Sequence, residues 1–208
     1  MEVKKEDKKN VDFMKYLRKI EYNSPVILTF VLATVIIYWI NLLTNGGSNH
    51  LLFSVYRSSF LNLLTYVRLI GHVFGHASWD HLMGNILLIL VIGPMLEEKY
   101  GSKRILLFIL STAVITGMFH IIFFKSALLG ASGIVFMLIL LSSITRISEQ
   151  RIPLTLILVA ITYIGSEIVN VVIQTDQISQ ITHIVGGICG AVFGFLYHRK
   201  RGIDTNSK

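Results

Sequence analysis

The chain has 208 residues, 53% of them hydrophobic and 15% charged, with a mean hydropathy of +0.65 and a formal net charge of +7. Charge is missing from several long blocks instead of being spread evenly, the pattern of a polytopic membrane protein, and the length leaves room for one membrane domain with short tails but no separate soluble domain. The Lys and Arg residues gather at the ends of apolar runs and form no stripe with interleaved aromatics, which argues against a nucleic-acid partner.

In chain order, residues 1–23 are polar and basic, with Lys4, Lys5, Lys8, Lys9, Lys15, Arg18 and Lys19. No apolar core leads to a small-residue cleavage site there, so the segment reads as a cytoplasmic tail and not a cleaved signal peptide. Six apolar runs follow that are long enough to span: residues 25–43, 81–96, 105–124, 128–145, 152–172 and 178–197. At about 1.5 Å per residue these cross a hydrocarbon core of about 30 Å, the second only just. The six-helix membrane domain is thus expected over residues 24–198, with a second basic cytoplasmic tail at 199–208.

The connection 44–80 is itself apolar and competes for a seventh span. Charge asymmetry decides against it. With six spans and an inner N-terminus, the inner segments hold sixteen Lys/Arg, and the outer ones hold three: Arg57, Arg68 and Lys125. A seventh span would put the two basic tails on opposite sides of the membrane. The connection is therefore expected to be an outer loop partly sunk into the membrane, with its aromatics at headgroup depth.

This threading gives depth to the polar residues. The turn Gly130-Ala131-Ser132-Gly133 is weak evidence of chemistry by itself, because small-residue turns also serve helix packing. However, the second, fourth and sixth spans all start from the outer side, and each carries its unusual polar groups near that start: His81 and Asn85, then Ser132, then His183. Polar groups that are costly in lipid are thereby placed where they can meet. His81 and Asn85, four apart, share a helix face. Gly186 and Gly190 lie on nearly the same face as His183 and allow the close helix approach that a Ser–His hydrogen bond requires.

A serine hydroxyl needs a base to become a nucleophile, and imidazole is suited to that at neutral pH, so Ser132 and His183 are a candidate catalytic dyad. Oxyanion donors are expected from the Ser132 backbone N–H, the Asn85 amide and the His81 ring. No acidic residue has an obvious claim to orient His183, and Ile134 stands where the soluble hydrolase elbow has its last glycine. No His-Glu-x-x-His pattern is present, His50, His72 and His198 have no metal-site spacing, and neither metal nor small-molecule cofactor is expected. His120 and the lone Cys189 read as packing residues.

In these motifs the chain resembles the rhomboid family of intramembrane serine proteases, over residues 66–194. The resemblance rests on Tyr66-Val67-Arg68, His76-x4-His81-x3-Asn85, Glu97-x3-Gly101, Gly130-Ala131-Ser132-Gly133 and His183-x2-Gly186-x3-Gly190. Tyrosine and valine precede Arg68 where many members have tryptophan, and six helices are expected without a seventh. The resemblance implies an all-α, six-helix core of the bacterial type, with the serine opening the fourth helix, the base on the sixth and oxyanion donors at His81 and Asn85. It implies that His76 holds the loop or retains water, and its embedded first loop corresponds to residues 44–80.

Arg68 is expected to anchor that loop through its carbonyls. Glu97 is expected to tie helix ends together, through Arg104 or backbone. Gly130 and Gly133 support the serine turn. Glu167 and Asn170, on the fifth span, are candidates for a gate. The expected activity is hydrolysis of a peptide bond in or beside the spanning segment of a membrane-protein substrate. The alternatives are a catalytically silent rhomboid-like protein that binds membrane helices for quality control, and a transporter built on His183 and Glu167. The transporter leaves the serine turn unexplained. The expected location is a bacterial plasma membrane, with both termini cytoplasmic.

Overall fold

The computed structural model describes residues 21–144 and 177–205, with residues 154, 158 and 161 in helical conformation. Among the described residues every named element is a helix: α1 (Pro25–Leu43), α2 (Gly47–Leu51), α3 (Leu63–Gly71), α4 (Trp79–Tyr100), α5 (Ser102–Phe123), α6 (Ser132–Ile144) and α7 (Gln177–Thr205). Three of them, α1, α4 and α5, are long and apolar enough to cross a membrane, and α6 and the stretch Ile181–Tyr197 are shorter apolar helices. The expected fifth run, 152–172, lies almost wholly outside the described residues, and its Leu154, Leu158 and Ile161 are exposed.

The helix order follows from which surfaces are apolar on all sides. Eleven of the thirteen residues of α6 are buried, so α6 is the central helix, packed by α4, α5 and α7. The outer helices keep large apolar side chains at their surfaces, including Leu32, Ile36 and Trp39 on α1, Leu87 and Val91 on α4, and Leu107 on α5. Such surfaces are stable only where lipid is the solvent.

Helix starts differ from the hydropathy reading, the third by three residues at Ser102 and the last by one at Gln177, and two of the differences have a visible cause. The second span begins at Trp79, two residues before the apolar run, because the Ser78 hydroxyl accepts the His81 N–H at 3.2 Å and caps the first turn. The fourth begins at Ser132, four residues after its apolar run. Leu128 instead exchanges two 2.8 Å backbone hydrogen bonds with Val55, and Gly130 has φ +129°, a conformation closed to a helix and open to glycine.

The connection 44–80 is folded onto the bundle and carries α2 and α3. Arg68 Nε donates to the Leu51 carbonyl at 2.9 Å, and its guanidinium lies 4.4 Å above the Tyr56 ring. Asn49 Nδ2 donates to the His76 carbonyl at 3.0 Å. Arg57, which the sequence offered only as an outer charge, donates to the carbonyls of Ile121 and Ile122 at 3.1 and 2.7 Å. It thereby satisfies orphan acceptors at the C-terminal end of α5, where a cation is also favoured by the helix dipole. Leu61 and Leu63, at the start of α3, are 96% and 80% exposed, an apolar lip that suits a loop in contact with lipid.

At the opposite end of α4, the buried Glu97 accepts the backbone N–H groups of Val26 and Ile27 at 3.0 and 2.9 Å. A carboxylate from α4 thus caps the N-terminus of α1, where no capping side chain of its own is in place. Arg104 makes no part of this contact. It donates to the Tyr100 carbonyl at 3.0 Å and lies 5.3 Å from the Tyr197 ring centre.

Candidate active site

The site is assembled where the starts of α4 and α6 meet the first turns of α7. Ser132 is the first residue of α6. The Ile134 and Val135 N–H groups bond back to the Ala131 carbonyl at 2.9 and 3.0 Å, which leaves the Ser132 and Gly133 N–H groups as helix-start donors without an intrahelical acceptor. A helix start of this kind favours negative charge in front of it.

His183 on α7 reaches this point because the two helix backbones nearly touch. A Cβ at Gly186 would collide with the Gly133 carbonyl oxygen, one at Gly190 with the Met137 carbonyl oxygen, and one at Gly194 would stand 2.7 Å from Ile144 Cγ2. The repeat of four puts these glycines on one α7 face, against α6. The outcome is a 2.8 Å separation between His183 Nε2 and Ser132 Oγ. The imidazole stacks on Phe136, with ring centres 4.6 Å apart and planes within 11°. Phe136 is one turn beyond Ser132, so the serine and the ring that backs its histidine share one α6 face.

His76 holds the turn before the serine. It is fully buried, its Nδ1 lies 3.3 Å from the Phe74 carbonyl, and its Nε2 faces the Asn85 Nδ2 at 3.0 Å and the Ala131 N–H at 3.4 Å. A carbonyl only accepts, which assigns the proton to Nδ1 and leaves Nε2 as an acceptor for two donors. Burial, with His81 nearby, pulls the His76 pKa down to about 4, so the ring is neutral. Its neighbour His72 supplies a second pin: the His72 carbonyl accepts the Gly130 N–H at 2.9 Å, and burial pulls its ring to about 4 as well.

His81 packs its ring on Gly130, where a Cβ would stand 2.7 Å from His81 Cε1, and lies edge-on to His76 at 5.0 Å between centres. Asn85, buried, turns its amide to His76 and to the His81 carbonyl, the latter at 3.0 Å.

The structure therefore brings His76, His81, Asn85, Gly130, Ser132, Gly133, His183, Gly186 and Gly190 into one contact network. Arg68 stands in the loop beyond it and Glu97 at the far end of α4. Glu167 and Asn170 lie outside the described residues. Among the described residues no group of three His, Cys, Asp or Glu side chains could hold a metal ion. The sequence reading missed His72, Arg57 and Phe136. The first had a visible signal, a third histidine four residues before His76, and Phe136 had the four-residue spacing from Ser132.

The Rhomboid domain family model matches residues 64–200, about two thirds of the chain. The chain belongs to the rhomboid family. Among curated proteins this rhomboid chain is similar to Rhomboid-like protein 11, chloroplastic, of Arabidopsis thaliana, with 25% identity over 135 residues. That match takes in 64% of this chain and 45% of the relative, so the rhomboid chain spans less than half of the relative's length. The matched region runs from α3 to α7 and contains every residue of the contact network.

Proposed function

We propose that this rhomboid chain is an intramembrane serine endopeptidase working through Ser132 and His183 on membrane-spanning protein substrates. The observation that carries the reading is the 2.8 Å approach of His183 Nε2 to Ser132 Oγ at the start of a buried helix. In this reaction Ser132 Oγ attacks the scissile carbonyl carbon while its proton passes to His183 Nε2. The negative charge that develops on the carbonyl oxygen faces the Ser132 backbone N–H at the start of α6. Asn85 and His81 are the additional donors, and Asn85 must release His76 or the His81 carbonyl to take part. Collapse of the tetrahedral intermediate breaks the C–N bond, with His183 returning the proton to the departing amine. A water then gives a proton to His183 and attacks the acyl-serine ester carbon; collapse breaks the C–O bond, His183 returns the proton to the departing Ser132 Oγ, and the carboxylic acid is freed.

The substrate is a transmembrane protein whose helix unwinds locally, because a helical carbonyl is already bonded within its own backbone. The proposed setting is a cell membrane of the bacterial plasma-membrane type, with tails 1–23 and 199–208 cytoplasmic around the domain 24–198.

Labelling of the detergent-solubilised protein by a fluorophosphonate tests this. Wild type should react, and Ser132→Ala and His183→Ala should not. A folded wild-type protein that stays unlabelled would favour instead a rhomboid-like protein that binds membrane helices without cutting them.

A further inference from the structure

A buried polar side chain that uses only half of its hydrogen-bonding capacity needs a reason to be polar, because an apolar side chain of the same shape would strand nothing. Asn49, on α2, is such a residue. It is buried, its Oδ1 has no hydrogen-bond partner among the described residues, and its Nδ2 donates to the His76 carbonyl at 3.0 Å. A carbonyl only accepts, which fixes the amide this way round. The bond falls on an otherwise bare stretch of chain. His76 lies between α3 and α4, and among the described residues no backbone-to-backbone hydrogen bond holds it. Asn49 is held in turn by α1, where Asn41 Oδ1 accepts the Asn49 backbone N–H at 3.1 Å. A chain of amides therefore runs from α1 through Asn49 to His76, and the His76 ring continues it to Asn85 and the Ala131 N–H.

We propose that Asn49 is a positioning residue for the reaction, keeping His76 on the Ala131 N–H while Asn85 turns away to the developing oxyanion. This rests on the protease reading and deepens it. In the resting site Asn85 Nδ2 bonds both His76 Nε2 and the His81 carbonyl, so its turn toward substrate removes one of the two donors that locate the His76 ring. The donor that remains, the Ala131 N–H, is long at 3.4 Å and therefore weak. The contact from His76 Nδ1 to the Phe74 carbonyl lies within the same segment and moves with it. Asn49 reaches that segment from a different element, so a His76 fixed through its own carbonyl stays in place, and with it the residue before Ser132. Asn49 touches no reacting atom. Its loss should slow bond formation at Ser132 and leave the binding of a small serine-directed reagent unchanged.

The test is saturation kinetics of fluorophosphonate labelling on the full-length protein for wild type, Asn49→Ala, Asn49→Asp, His76→Ala and the double variant Asn49→Ala/His76→Ala. Asn49→Ala should lower the maximal labelling rate by about tenfold, the size of one hydrogen bond, with the half-saturating concentration within about twofold of wild type. In the His76→Ala background the same change should cost less than about twofold, because Asn49 acts through that ring. Asn49→Asp keeps the shape, but its ionised carboxylate has no donor for the His76 carbonyl. It should be at least as slow as Asn49→Ala at pH 7.5, and its rate relative to wild type at the same pH should rise as pH falls to 5.5, since protonation restores an O–H donor. Fully additive single changes, a flat pH ratio, or an Asn49→Ala rate equal to wild type would each overturn the proposal while the protease reading stands. If Asn49→Ala does not fold, Asn49→Leu, which fills the volume and removes the stranded oxygen, takes its place in the cycle. A folded wild type that does not label overturns both ideas, since there is then no reaction for Asn49 to serve.

Discussion

Replacing Gly186 by alanine adds one methyl group where the backbones of α6 and α7 are closest. The new Cβ would overlap the Gly133 carbonyl oxygen, a backbone atom that cannot rotate away, and real Cβ contacts stay above 3.0 Å. The helices must part by on the order of 1 Å, since close-packed interiors have no slack to absorb the volume. Gly186 is one turn from His183, so most of that displacement reaches the 2.8 Å Ser132–His183 pair and carries it beyond hydrogen-bond distance. Misplacement of reacting groups by about 1 Å costs on the order of 10²-fold in rate, and overpacking costs about 1–3 kcal/mol in stability. The helix-propensity gain of alanine, about 1 kcal/mol, offsets part of the second figure only. Gly187→Ala provides the internal control, because its Cβ would meet Leu140 at an ordinary 3.5 Å. The assay is the fluorophosphonate labelling rate of both variants, with thermal unfolding in the same detergent. Gly186→Ala labelling at the wild-type rate while folded, or Gly187→Ala doing equal damage, would refute the close-approach argument.

Glu97→Ala strands the Val26 and Ile27 N–H groups, and at about 1–3 kcal/mol for each stranded donor it should destabilise the protein by about 2–6 kcal/mol. Glu97→Gln keeps one acceptor oxygen and should lose less than half of that in thermal unfolding; equal losses would mean that capping is not what Glu97 does. Asn85→Ala should lower labelling by about 10²-fold or less, because other donors remain, and an unchanged rate would remove Asn85 from the site. His76 gives a pH signature. Its folded pKa of about 4 lies below the ordinary 6.5, so between those values the unfolded chain binds the extra proton. The contribution is complete above about pH 6.5 and is lost as pH falls toward 4, by up to about 3 kcal/mol for this ring. His72 adds in the same direction. Thermal unfolding from pH 7.5 to 4.5 should show this decline in wild type and a shallower one in His76→Gln; parallel curves would show that His76 is not the group responsible.

What the sequence made legible were residues whose type is costly in an apolar setting. Ser132, His183, His81 and Asn85 stand out in spans because lipid offers polar groups no partner, and depth alone brings them to one level. The family match and the all-helical architecture agree with the fold expected from those motifs. The helix starts were less legible, because hydropathy registers composition and not conformation: residues 128–131 are apolar or small, yet Leu128 pairs with Val55 and Gly130 leaves helical space. Glu97 was visible as a tie between helix ends, but its partners lie 70 and 71 positions earlier, and no spacing rule reaches that far. Phe136 was hidden for the opposite reason. An aromatic in an apolar run looks like core until the histidine that lies against it is placed.

The candidate pair is held by two different kinds of force, one on each side. Ser132 is fixed by hydrogen bonds from the 44–80 loop to the backbone just before it: Val55 to Leu128, the His72 carbonyl to Gly130, and His76 Nε2 to Ala131. Three of the four residues preceding the serine are therefore tied to the loop, among them the positive-φ Gly130. His183 is fixed by backbone-to-backbone packing through Gly186, Gly190 and Gly194, and by the Phe136 ring. Apolar burial cannot draw helices together where lipid is as apolar as the protein, so close van der Waals contact must do it, and that contact tolerates no added methyl. The hydrogen bonds on the serine side add a sensitivity to charge. Protonating His76 Nε2 would set an N–H against two other N–H groups and release the Ala131 and Asn85 ends of the turn together. The serine side is thus sensitive to the charge on His76 as well as to volume at Gly130, the histidine side to volume at Gly186 and Gly190, and only a chain that satisfies both keeps the two side chains 2.8 Å apart.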